Sequence, residues 1–216
     1  MQAPPFAVKH ELDGWDLFWV RLEAVPGREA ELTALRKAVS ERARSALALE
    51  SLSSHPTVAA VRGLFRAAGS DPTRYRPSSE ALLRRVLKGE DLPSIHPFVD
   101  LNNCLSVALA VPSCVAEEGS FRAPVVLRAG RTGESYESLR GPFNLEGKPL
   151  LADAGGPFGT PITDSQRVKV TDGTRSAWMV AYLPRGVVKP EEARRVLDDL
   201  LAAAPVATVA EAGVSA

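Results

Sequence analysis

The 216-residue chain has few of the residues that most often carry metal or thiol chemistry. It holds three histidines (His10, His55, His96) and two cysteines (Cys104, Cys114). The histidines are far apart and no C-x-x-C pair occurs, so the spacing does not support a structural zinc site. Neither a metal nor a cofactor is expected. Both cysteines stand in apolar surroundings and read as core thiols. An excess of one charge is also missing, because 26 Lys and Arg face 26 Asp and Glu. Nothing therefore draws the whole molecule to nucleic acid or membrane, and any anion-binding surface must be a local patch. No stretch approaches the roughly 18 consecutive apolar residues of a membrane span. The N-terminal MQAPPFAVKHELDGW lacks the basic and apolar regions of a signal peptide. A cytoplasmic protein with reduced thiols and no membrane partner is expected. There is no G-x-S-x-G elbow, Walker loop, dinucleotide glycine fingerprint or H-E-x-x-H.

The patterns that are present alternate between helix and strand. Trp15 to Val25 is rich in aromatic and β-branched residues and reads as a strand stopped by Pro26-Gly27. Arg28 to about Leu49 turns helical, with Leu32, Leu35, Val39 and Ala43 on one face. Thr57 to Gly69 predicts a second helix, capped by Thr57 and closed by Gly69. A third runs from a cap at Ser78 or Ser79 to Lys88, ended by Gly89. Pro97 fits the first turn of a fourth, which places His96 near its N-cap. Strands are expected at Ala123 to Gly130, in GESYESL and in KPLLADA, and QRVKV and RSAWMVAYL around TDGT predict a hairpin. Pro190 opens a last helix with acids in its first turn. The small residues after Pro205 read as a flexible tail, 206–216. Helices come first and strands later, which predicts a single α+β domain over 1–205, with helices against a mixed or largely antiparallel sheet.

Three stretches carry candidate chemistry, each with a plainer alternative. In RYRPSSEALLRRVLK, Arg74, Arg76, Arg84, Arg85 and Lys88 place five cations near one acid, Glu80. They form either a phosphate-binding surface or a solvated helix face. On the helix after Pro97, Asp100, Asn103 and Ser106 recur every three residues beside His96. That row can relay protons and hold an oxyanion at a helix N-terminus, or it can brace neighbouring loops. GGPFGTPITDS, from Gly155 to Ser165, offers close backbone approach and hydroxyl groups to a ligand, or is a tight connection needing positive φ.

Taken together, GSDPTRYRPSSEALLRRVLKGEDLPSIHPFVDLNNCLSVALAVP resembles the central block of the B3/B4 domain. That domain occurs in the β subunit of phenylalanyl-tRNA synthetase and in free-standing proteins. The resemblance rests on Arg76-Pro77-Ser78, Glu80-Ala81-Leu82, Arg84-Arg85, Pro93, Val99-Asp100, Asn103, Ser106 and Pro112, and extends over about 57–201. It implies a three-layer α/β module with a pocket between its helical and sheet portions. It also implies an aminoacylated tRNA as partner and hydrolysis of wrongly attached amino acids in trans; binding without catalysis is the alternative. Pro161-Ile162-Thr163-Asp164-Ser165 is similar to a Pro-Ile-x-x-Ser loop that lines the pocket in archaeal-type synthetases. On that reading His96, Asp100, Asn103 and Ser165 are the candidates for catalysis. Ser106, Gly155, Gly156, Thr160 and Asp164 line the substrate pocket, and the five cations meet the tRNA backbone.

Overall fold

The computed structural model describes residues 6–216. The elements in chain order are β1 (Val8–His10), β2 (Trp15–Ala24), α1 (Glu29–Ala46), α2 (Pro56–Ala67), α3 (Ser78–Leu87) and α4 (Pro97–Leu109). There follow β3 (Ser113–Glu117), β4 (Val125–Ala129), β5 (Ser135–Ser138), β6 (Gly141–Asn144), β7 (Pro149–Asp153) and β8 (Gly156–Gly159). The chain then forms β9 (Ser176–Pro184), α5 (Pro190–Ala203) and β10 (Ala207–Ser215). The fold is α+β.

A central antiparallel sheet, in the order β10-β2-β9-β3, separates two apolar layers. Side chains alternate across a strand, and in β2 both sets are apolar. Phe18, Val20 and Leu22 join α1, α4 and α5 in one core, while Trp15, Leu17 and Trp19 face a second sheet in another. β9 divides the same way, with Ala177, Met179, Ala181 and Leu183 toward the helices and Trp178, Val180 and Tyr182 away from them. Burial on both faces explains why neither strand reads as an alternating amphipathic pattern. The second sheet is β1-β4-β7-β8, with β1 parallel to β4 and the other pairs antiparallel. A short β5–β6 hairpin flanks it. The result is three layers: α1, α3, α4 and α5, then the central sheet, then the mixed sheet, with α2 reaching into the second core through Val61 and Phe65.

Several local expectations change. His55 rather than Thr57 precedes α2, whose first residue is Pro56, so Thr57 lies buried inside the first turn. Pro77 precedes α3 and no side chain caps it, so Ser78 and Ser79 are its first two residues. Ser165 caps a short 3-10 turn over Gln166–Val168, where a strand was expected in QRVKV. Thr171 to Thr174 is a turn but not a hairpin, because β9 already pairs with β2 on one side and β3 on the other. The residues read as a flexible tail form β10, antiparallel to β2. They gain strand structure from that partner, not from strong propensity of their own.

Candidate functional site

α3 carries the basic segment, and much of its charge is anchored on one acid. Glu80 is 1% exposed. Its carboxylate accepts from Arg62 of α2 at 2.9 and 3.1 Å and from Arg84 Nε at 2.9 Å, with Arg76 Nε at 3.7 Å. A buried carboxylate is tolerable only with partners this close. Three arginines on one glutamate leave a local surplus of positive charge, and Arg76 and Arg84 still reach the surface. Arg85 ties down the end of α3 through Asp91 O and an ion pair with Glu90. The Arg74 guanidinium lies 5.2 Å from the Tyr75 ring centre, and Lys88 is exposed. Lys148, which is buried, sets its ammonium 3.7 Å from the other partner of this corner, the Tyr75 ring. Burial, reinforced by Arg74, lowers its pKa.

The polar row of α4 is largely committed to local structure. His96 is the N-cap residue, and its Nδ1 accepts from Phe98 N at 3.2 Å. Burial holds its pKa below the ordinary histidine value, against the opposing pull of Asp172 and Asp100. Asp100 accepts from Ile95 N at 2.8 Å and His96 N at 3.4 Å, and lies 3.6 Å from Arg36. Burial raises its pKa, while these donors pull it down. Asp100 therefore braces the turn that leads into α4. Ser106 Oγ donates to Val111 O at 2.7 Å, where the chain leaves α4 through Ala110 at φ 56°. Asn103 is nearly buried and makes no side-chain hydrogen bond among the described residues.

The glycine-rich segment divides into two parts. Gly155 lies in the β7–β8 turn and Gly156 opens β8; Gly155 N bonds Asp153, and Arg167 spans from Asp153 to Gly156 O. A Cβ at Gly155 would collide with Arg167, and Gly156 has φ +106°, so both positions suit glycine. This turn belongs to the mixed sheet, a different layer from Asp100. The second part, Thr160 to Ser165, folds back on itself. Thr160 Oγ1 donates to Thr163 O at 2.6 Å and accepts from Thr163 N at 3.0 Å. Ser165 Oγ accepts from Arg167 N and donates to Glu137 O.

That fold delivers Asp164 to the free edge of β3. Tyr182 N bonds Pro112 O and Cys114 pairs with Val180 in β9, so Val115 and Ser113 turn their backbone groups away from β9. Asn102 Nδ2 lies 3.4 Å from Ser113 O, and the Val115 N–H lies against Asp164. Cys114 Sγ and Tyr182 Oη are 3.7 Å apart beside Gly159, in reach of the same carboxyl. Tyr136 from β5 closes the group through Thr163 O at 2.6 Å and Thr160 Oγ1 at 3.4 Å. No cation pairs with Asp164 among the described residues. Its Oδ1 is shielded from solvent and unpartnered, as are Asn102 Oδ1 and Ser78 Oγ. Burial raises the Asp164 pKa to about 8, against the pull of the Val115 and Thr160 amides. The same burial raises the Cys114 thiol and the Tyr136 and Tyr182 phenols. Ser78 N donates to Pro161 O at 2.9 Å, so the start of α3 and its arginines are fastened to this loop.

Of the residues singled out by sequence, Thr160 and Asp164 come together here, and Arg76 and Arg84 meet on Glu80. His96, Asp100 and Ser106 make other contacts. Ser78, Asn102, Cys114, Tyr136 and Tyr182 were not singled out for this cluster. The paired asparagines were a visible signal, but a three-residue spacing selects Asn103 and passes over Asn102, which faces β3.

Among solved structures, the chain is similar to an N-terminal fragment of the phenylalanyl-tRNA synthetase β subunit from Pyrococcus horikoshii. The TM-score is 0.47 at 14% identity, over 97% of this chain and 50% of that one, so this chain spans half the length of that fragment. No curated protein matches it significantly. The family model described as the B3/4 domain matches residues 60–197, a span that contains α3, α4, Glu80 and the Asp164 loop. The chain belongs to the B3/4 domain family.

Proposed function

We propose that this protein binds tRNA through the arginine surface of α3 and hydrolyses the ester of wrongly aminoacylated tRNA at the Asp164 loop. The observation that carries the proposal is the uncompensated Asp164 carboxyl, fastened through the Ser78–Pro161 hydrogen bond to a helix with surplus positive charge. The resemblance of the central block to the B3/B4 domain of the synthetase supports the choice of tRNA. An aminoacyl ester is already activated, so positioning a water and accepting its proton suffices. As the water oxygen attacks the ester carbonyl, Asp164 takes the water proton. The ester C–O bond then breaks and the proton passes to the ribose oxygen. Asp164 fits this role better than His96, whose Nδ1 is engaged by Phe98 N. Arg74, Arg76, Arg84 and Lys88 meet phosphates, while Thr160 closes the loop that carries the acid.

A second reading, binding of tRNA or an amino-acid-like ligand without catalysis, has its own support. Asp164 Oδ1 is enclosed, the Cys114 thiol is held protonated by burial, and Ser165 Oγ is engaged as a cap. Incubation with a panel of mischarged tRNAs separates the two. Hydrolysis of at least one member above the buffer rate supports the first. Salt-dependent tRNA binding with no hydrolysis leaves the second, and no binding at low salt removes the first and takes tRNA out of the second.

A further inference from the structure

The two edges of the central sheet are treated differently by the fold. At β3, Asn102 and the Asp164 loop cover the outward backbone groups. At β10, nothing among the described residues pairs with the outer side. We propose that the β10 edge joins a second copy of this chain, so that two central sheets become one antiparallel eight-stranded sheet about a two-fold axis.

The hydrogen-bond phase of β10 fixes which groups are free. Val25 N bonds Val206 O while Ala24 N bonds Arg175 O, so odd-numbered residues of β2 serve β10 and even-numbered ones serve β9. Beyond the bulge at Ala210, Glu211, Gly213 and Ser215 oppose Arg21, Trp19 and Leu17. Their backbone groups therefore point inward, and those of Ala212 and Val214 point outward. The outer side from Ala212 to Val214 has no proline, lysine or inward-turned charge, the devices that usually protect an edge. Antiparallel pairing centred on Gly213 sets Ala212 of one copy opposite Val214 of the other, with hydrogen bonds from both.

The helix above this edge carries matching charge. α5 packs over β2 and β10. With strands about 4.8 Å apart, two such helices would lie about 10 Å apart across the axis, a normal helix-packing distance. An open groove of about 440 Å³ runs between α5 and β10, with Phe18, Ala212 and Val214 as its apolar part and Arg195 and Asp199 on its rim. Arg194 is paired with Asp198 within its own helix, whereas Arg195 and Asp199 make no ion pair among the described residues. In an antiparallel α5 pair, Arg195 of each copy faces Asp199 of the other. The pattern is self-complementary, as a two-fold interface requires, and Val214, 49% exposed, is covered by it.

Sedimentation equilibrium of the full chain over a concentration series tests the proposal. A mass tending to twice 23.1 kDa is expected. Ala212→Pro removes one outward N–H per copy without touching the bonds to β2, and is expected to weaken association about tenfold. Arg195→Asp is expected to weaken it comparably, and adding Asp199→Arg to restore it. The charge pair gives an answer even if the proline variant does not fold. A monomer at every concentration up to about 1 mM, or a dimer indifferent to Arg195→Asp and to its reversal, overturns the proposal.

Discussion

Asp100, which is buried, and Asp164, which is half-buried with its Oδ1 shielded, stand near the two ends of the α4–β3 region, yet their surroundings differ. Asp100 has two backbone donors, Ser94 and the Arg36 guanidinium around it. Asp164 has two nearby amides, no cation among the described residues and one unpartnered oxygen. Glu80 marks the far end of the series, with three arginines on one carboxylate. The difference teaches how to separate structural acids from working ones. A structural acid has donors and a cation gathered around its carboxylate, as Asp100 does although burial still raises its pKa. A group left near neutral pH with its charge unanswered can exchange a proton in use.

Removing each acid breaks or sharpens that comparison. Glu80→Ala leaves three arginines crowded without their counter-ion. A loss of about 3–5 kcal/mol is expected, read by urea denaturation. Asp164→Asn has the opposite sign. The native group holds its proton up to about pH 8, whereas the unfolded one releases it near the ordinary value of 3.8. Below that lower value the acid costs nothing. As pH rises toward 8, wild-type stability falls by up to about 1.4 kcal/mol per pH unit, and above 8 the penalty is constant. The asparagine variant lacks this slope, so its advantage over wild type grows between pH 5 and 8 in parallel melts. Equal slopes would mean that folding leaves the Asp164 pKa at its ordinary value. Asp100→Asn weakens the acceptor of the Ile95 and His96 amides and the Arg36 contact, and about 1–3 kcal/mol is lost. Hydrolysis by this variant, measured well below its midpoint, stays within about twofold of wild type. The smallest effect is expected from Thr160→Val, which removes the bonds that close the Asp164 loop. Stability falls by about 1 kcal/mol, and the pH slope due to Asp164 becomes shallower as the loop opens to water.

The same pair of acids shows what was legible in the sequence and what was not. The α+β layout, the long α1, the break at Gly89 and the His96 cap all follow from local spacing and turn chemistry, which the chain encodes within a few residues. The Glu80 node was half visible, since Arg76 and Arg84 flank the acid at helical spacing. Arg62 arrives from another helix and could not be placed. Asp100 and Asp164 cannot be ranked from spacing, because what separates them is the distribution of donors contributed by distant segments. β10 was missed for a related reason. Its small residues carry weak strand preference, and Gly213 fits because the Trp19 indole of β2 lies across it, where a Cβ would collide. β3 and β8 were hidden by their neighbours, a proline-ended helix and a glycine-rich turn.

Asp164 is the acid to which proton transfer is assigned in the proposed hydrolysis. The most direct test is the pH dependence of mischarged-tRNA hydrolysis by wild type, Asp164→Asn and Asp100→Asn, each corrected for the buffer rate. The predicted result is a wild-type rate that climbs with pH and levels near 8, a similar profile for Asp100→Asn, and a flat profile at least about 100-fold lower for Asp164→Asn. A profile unchanged by Asp164→Asn, or lost only with Asp100→Asn, would contradict it.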